Sequence, residues 1–180
     1  SKSIIEKEIN RKNNSIIIIG ANFKDHFFTN YDWKYITNEN ISIEESFNKS
    51  IMELLAKNKV ILIYPIPTLN FNLQKRIMNE LPKSTFKATS YLKKNPYTTS
   101  YKMYLDENNK ILNLFDKIQH DNLIKIFPDK IFCNKSENIC FSHEGKNLYY
   151  SDSQHLSLSG SEMLSNRIFD EIKKITLNKD

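Results

Sequence analysis

The sequence predicts an α/β domain with helices flanking a mainly parallel sheet, and three stretches predict it. "SIIIIGANF" is a short β-branched run ending in Gly, the pattern of a strand buried on both faces. "KVILIYPIP" is a second such run, stopped by Pro65 and Pro67. Between them, "ISIEESFNKSIMELLAKN" carries Ile43, Phe47, Ile51, Leu54 and Leu55 at helical spacing. A helix between two buried strands makes a right-handed βαβ crossover the default connection.

In chain order the pattern reads helix, strand, loop, helix, strand, a long variable stretch, helix, strand, a cysteine loop, a turn and a last helix. Ser42 and Glu45 have capping-box spacing at the start of the crossover helix. Residues 68–104, "LNFNLQKRIMNELPKSTFKATSYLKKNPYTTSYKMY" from Leu69 on, keep a weak helical period up to Leu81. The polar, Tyr-rich run that follows reads as an excursion on top of the sheet. "ENNKILNLFDKIQHDN" predicts a helix with Ile111, Leu112, Leu114, Phe115 and Ile118 inward, and "LIKIFP" a third short strand. The last helix, near 161–175, places Met163, Leu164, Ile168, Ile172 and Ile175 on one face, with Ser159 and Glu162 at capping-box spacing. No repeat or linker interrupts residues 1–180, which read as a single domain.

The 180 residues suffice for one domain with a real core, and 39% apolar with 12% aromatic content is globular composition. No apolar run approaches the roughly 20 residues a bilayer crossing needs, so this piece reads as soluble. "SKSIIEKEINRKNN" is charged and has no apolar core, so no signal peptide is read at Ser1. A net charge of +5 admits nucleic acid, an anionic membrane surface or anionic glycan as partners. The lysines form no block of five, which favours a solvated surface and no nucleic-acid footprint. Cys133 and Cys140, in "IFCNKSENICF", have no second Cys pair to complete a metal site, even with His143 nearby. A short-loop disulfide fits them better and implies an oxidising compartment; two free buried thiols are the alternative.

In open α/β sheets ligands sit beyond the carboxyl ends of the strands. Gly20 and Asn22 follow the isoleucine strand directly. Gly20 lets the backbone turn sharply or approach a substrate, and Asn22 offers an amide donor for a developing oxyanion, though an Asn there is often only a turn former. In "YYSDSQHLSLSGSEML", Asp152 stands three residues before His155 at a helix start. A carboxylate bonded to one imidazole nitrogen fixes the tautomer and leaves the other nitrogen free as a base. His26, His120 and His143 have no comparable setting and read as surface residues.

"LYYSDSQHLSLSGSEML" resembles the final D-x-x-H block of SGNH-type hydrolases. Its H-L-S-x-x-G continuation is most similar to the SGNH domains fused to integral-membrane acyltransferases of bacterial envelopes. "SIIIIGAN" resembles the family's G-x-N block, whose Asn is an oxyanion donor, and "KVILIYPIPTLNFN" is similar to the strand and turn between the two blocks. The Cys133–Cys140 loop also resembles a feature of the fused group. The resemblance covers about residues 15–175 and implies a flavodoxin-like three-layer αβα sandwich.

One departure is large. The family's nucleophile is the Ser of a G-D-S block on the first strand, ahead of G-x-N, and no G-D-S occurs among these residues. The resemblance therefore places the nucleophile upstream of Ser1, with residues 1–180 as the C-terminal portion of the domain lacking its first strand; loss of the serine is the alternative. Ser15 and Ser151 lack the strand-to-helix elbow of a replacement nucleophile. The resemblance implies an O-acyltransferase, with acetyl as the acyl group, or an esterase, acting on envelope carbohydrate. His155 would be general base, Asp152 its orienting partner, Asn22 the oxyanion donor and Gly20 a substrate contact. An integral-membrane acyltransferase domain would deliver the acyl group on the periplasmic or extracytoplasmic side, with no metal or cofactor. The stretch "TFKATSYLKKNPYTTSYKMY" is either an acceptor groove or a surface loop packed by its own aromatics. The rival reading for the whole chain is a non-catalytic module that binds glycan or a partner.

Overall fold

The computed structural model describes residues 13–23 and 42–177; the helix expected ahead of the first strand, and His26, lie outside them. In chain order the elements are β1 (Ile16–Ile19), α1 (Ile43–Leu55), β2 (Lys59–Ile63), α2 (Leu73–Glu80), α3 (Thr85–Lys94), β3 (Thr98–Ser100), α4 (Tyr101–Lys117), β4 (Leu123–Ile126), α5 (Asp129–Phe132), β5 (Cys133–Asn134), β6 (Ile139–Phe141), β7 (His143–Glu144), β8 (Asn147–Leu148) and α6 (Leu158–Leu177). They fall into two compact units, Ser1–Pro65 with Asn108–Ile126, and Ile66–Glu107 with Phe127–Asp180.

The first unit holds the parallel sheet, in the order β1-β2-β4. Ile16 to Ile19 face Lys59 to Leu62, and Val60 to Ile63 face Leu123 to Ile126. The expected α/β class with a parallel sheet flanked by helices is what the chain adopts. Central β2 buries Val60, Ile61 and Leu62 completely, as a strand covered on both faces must. β1 departs from expectation: Ile18 is 48% exposed, so this strand is not buried on both faces. It is an edge strand among the described residues, and an edge meets fewer packing partners. α1 starts at the expected capping box, where Ser42 Oγ accepts the Glu45 N–H at 3.1 Å and Glu45 Oε2 accepts the Ser42 N–H at 2.8 Å. Two amides close its far end, Asn58 Nδ2 donating to Leu54 O and Asn122 Nδ2 to Leu55 O. Phe115 stacks on Phe47 at 5.4 Å and meets Phe23 and Tyr64 edge-on, filling the core of this unit.

The second unit is built on antiparallel pairs, a sheet ordered β3-β6-β5 and the ribbon β7-β8. The run expected as a polar excursion is instead helix α3, strand β3 and the start of α4. Of its aromatics, Tyr97 and Tyr104 are buried, Tyr91 and Tyr101 are half-buried, and Phe86 is exposed. Leu69, Leu73, Leu92, Tyr97, Phe132, Tyr149 and Tyr150 form the core here. Cys133 and Cys140 are joined by a disulfide and stand opposite each other on β5 and β6. α6 begins at Leu158, earlier than the sequence pattern places it.

Candidate functional site

The chain segment that carries Asp152 and His155 is a five-residue loop with a tied neck. Tyr150 and Leu156 pair as an antiparallel bridge, and the Ser151 N–H donates to His155 O at 2.8 Å. Within the loop, Asp152 Oδ1 accepts the N–H groups of Gln154 and His155, both at 2.7 Å. Its other oxygen, Oδ2, lies 2.7 Å from His155 Nδ1. The same carboxylate therefore shapes the loop and holds the ring, which requires the three-residue spacing. The backbone N–H groups of His155 and Gln154, and then the imidazole itself, hold the Asp152 carboxyl down to about 2. With Oδ2 ionised, Nδ1 carries the proton and Nε2 is left as the acceptor. The His155 side chain is 77% exposed, so Nε2 is open to an incoming group.

What fixes the loop in the second unit was not legible in the sequence. Tyr150 is buried, and its hydroxyl donates to Pro67 O at 2.7 Å. The Leu69 N–H donates to Ser153 O at 2.8 Å. The segment leaving β2 thus grips the loop through main-chain atoms. The H-L-S-x-x-G continuation also has a local cause. Ser157, and not Ser159, caps α6, since its Oγ accepts the Gly160 N–H at 3.2 Å while its own O–H donates to Leu148 O. Ser157 N–H also donates to Tyr149 O at 2.9 Å, which settles where the helix begins. Gly160 follows because a Cβ there would stand 2.1 Å from Tyr149 O.

In the first unit, Gly20 and Asn22 lie just past the carboxyl end of β1, and both are exposed. A Cβ on Gly20 would meet the Ile63 side chain on β2, with Cδ1 at 3.2 Å, so Ile63 would have to give by a few tenths of an ångström to admit one. Neither candidate replacement nucleophile addresses an imidazole: Ser15 Oγ donates to Asn13 O and Ser151 Oγ to the main-chain O of His155.

His143 corrects the surface reading, because it is buried. Its Nε2 accepts the Tyr97 N–H at 3.0 Å, and Nδ1 donates to Gly145 O at 3.1 Å. The ring is thus a neutral structural link, and burial pushes it below the ordinary imidazole range. His120 is half-buried and its Nδ1 accepts the Asn122 N–H.

The family described as "SGNH domain (fused to AT3 domains)" matches residues 2–170. No curated protein matches the chain. Among solved structures, the periplasmic domain of the Salmonella ser. Paratyphi A lipopolysaccharide acetyltransferase matches with a TM-score of 0.50 and 19% identity. The match covers 94% of this chain and 61% of that one, so the likeness is one of fold and spans about three-fifths of the other's length.

Proposed function

The chain belongs to the SGNH domains of the kind fused to AT3 domains, and from that membership we propose that it serves as an O-acyltransferase domain, passing an acetyl group to a cell-envelope carbohydrate. The observation that carries this reading is the 2.7 Å bond from His155 Nδ1 to an ionised Asp152, with Nε2 left exposed. A hydroxyl can give its proton to that nitrogen.

In the proposed sequence, a serine ahead of Ser1 attacks the acyl carbonyl while His155 Nε2 takes the hydroxyl proton. The Asn22 amide and backbone N–H groups hold the oxyanion, and Gly20 admits the substrate backbone-close. Collapse expels the donor's leaving group, which takes the proton from Nε2. A sugar hydroxyl then attacks the acyl-serine, its proton passing to Nε2 and on to the released serine. Asp152 keeps the ring in one tautomer and stabilises the imidazolium. An integral-membrane acyltransferase domain supplies the acyl group on the periplasmic side. The name of the structural neighbour, a lipopolysaccharide acetyltransferase periplasmic domain, supports the carbohydrate acceptor and the compartment. With water in place of the sugar, the same steps make an esterase.

In the full-length protein, His155→Ala is expected to abolish acetyl transfer to envelope polysaccharide with the domain still folded by circular dichroism. Asp152→Asn is expected to lower the rate on the order of ten-thousand-fold, because an amide at Oδ2 favours the wrong tautomer. Unchanged transfer by a folded His155→Ala variant removes His155 from the mechanism. A second reading, a glycan- or partner-binding module without catalysis, draws on the absence of G-D-S from residues 1–180. A reading frame that carries G-D-S about 50 to 70 residues ahead of Gly20, a distance set by domain length, favours the enzyme; one that begins near Ser1 favours the module.

A further inference from the structure

The net charge of the chain has an address. Residues 66–97 hold six of the 26 Lys and Arg residues and one of the 21 Asp and Glu residues. That segment alone therefore carries a formal +5, and the remaining residues balance at twenty of each sign. Its one carboxylate, Glu80, is taken by Arg76 at 3.0 Å. Lys83, Lys87, Lys93 and Lys94 are all exposed, and none has a carboxylate partner among the described residues.

The same segment turns large apolar side chains outward. Phe86 on α3 is 84% exposed and Met78 on α2 is 83% exposed. Neither position is a stray in a polar helix. On α3, Phe86, Ser90, Lys93 and Lys94 follow i, i+4, i+7 and i+8 spacing and are all exposed, while Leu92 is buried on the other side. On α2, Met78 is exposed three residues after exposed Lys75, while Leu73 is buried. The outward face of α3 thus sets Phe86 with two ammonium groups, and that of α2 sets Met78 with one, Lys75.

We propose that the α2–α3 segment docks on the headgroup layer of an anionic lipid membrane. Phenyl and thioether groups enter the acyl boundary, and the lysines reach lipid phosphates, their stems lying along the apolar layer. A polyanionic glycan would satisfy the lysines equally, but it offers nothing to the Met78 side chain. Phe86 and Met78 also stand out on convex helix faces, whereas sugars and other small ligands are held in concave sites. This surface is independent of the Asp152–His155 pair and of the acyl-transfer reading.

The test is flotation of the 180-residue chain with vesicles of mixed phosphatidylglycerol and phosphatidylcholine, and with pure phosphatidylcholine. Binding to the mixed vesicles only is expected. Lys93→Gln with Lys94→Gln should weaken it about 30-fold, taking each lysine at the strength of a basic side chain near an anionic surface. Phe86→Ser should weaken it roughly tenfold, for loss of the inserted ring. Lys146→Gln with Lys173→Gln, elsewhere in the same unit, should leave it unchanged. These are surface positions, and circular dichroism checks that each variant is folded. The proposal is overturned by failure to float with anionic vesicles or by an equal loss from the control pair. It is also overturned if Phe86→Ser floats normally while the chain binds soluble polygalacturonate, which would make the surface a glycan site.

Discussion

Replacing Gly160 by Ala adds one methyl at the place where α6 (Leu158–Leu177) meets the strand that precedes the Asp–His loop. The new Cβ would lie 2.1 Å from Tyr149 O, 3.0 Å from Tyr149 C and 3.2 Å from Leu156 Cδ2. The first contact is more than about 1 Å inside van der Waals distance. The obstructing atom cannot swing away, since Tyr149 O accepts the Ser157 N–H at 2.9 Å and Tyr149 N–H donates to Ser142 O at 2.8 Å. Either those bonds break or the helix start shifts. Overpacking of this kind costs about 1–3 kcal/mol, and a severed backbone bond adds about 1 kcal/mol. Against that, Ala is the better helix former by up to about 1 kcal/mol. The net expectation is a loss of about 2 kcal/mol by urea denaturation, with Ser161→Ala one residue on, at an exposed site, within about 0.5 kcal/mol of wild type. A Gly160→Ala protein as stable as wild type would refute the close approach, and with it the physical account of the H-L-S-x-x-G pattern.

Stability should also fall on mild acidification through His143. Its folded ring is held below the unfolded value by burial, so the unfolded chain binds the proton more readily. The stabilisation is therefore complete above about pH 6.5 and declines as pH drops below it. Melting curves should show this slope, and His143→Gln should flatten it; identical slopes would discount the burial of the neutral ring. Asp152 acts in a lower window, since its stabilisation is lost only as pH falls from about 4 toward about 2. The Cys133–Cys140 bridge closes a loop of separation seven, for which chain entropy gives about 2 kcal/mol. Reduction should lower the urea midpoint accordingly, and denatured, unreduced protein should show no reactive thiol by titration.

Much of the first unit was readable because its signals are local. The Ile16–Ile19 and Lys59–Ile63 strands are uninterrupted β-branched and aliphatic runs, and Ser42 with Glu45 announces α1 in four residues. Asp152 and His155 were readable for the same reason, being three residues apart. Helix α3 (Thr85–Lys94) was missed because its one fully buried apolar residue is Leu92, and its largest apolar side chain, Phe86, faces out. An inverted signal of that sort erases the period on which such reading depends. Strand β3 (Thr98–Ser100) has strand-favouring threonines but is only three residues long, too short for an alternation to show, and it pairs with residues 139–141. His143 escaped notice because its partner, the Tyr97 N–H, is 46 residues away. The choice of Ser157 over Ser159 as cap likewise depends on Leu148 and Tyr149, which only folding brings close.

The grip on the Asp152–His155 loop by Pro67 O and the Leu69 N–H has a consequence for which residues can stand there. Every residue owns a carbonyl, and all but proline own an amide hydrogen. A clasp made from such atoms asks nothing of the side chains that carry them, so at the buried positions 67 and 69 it is packing and not the clasp that limits the amino acid, while position 68 between them can change without loosening the loop.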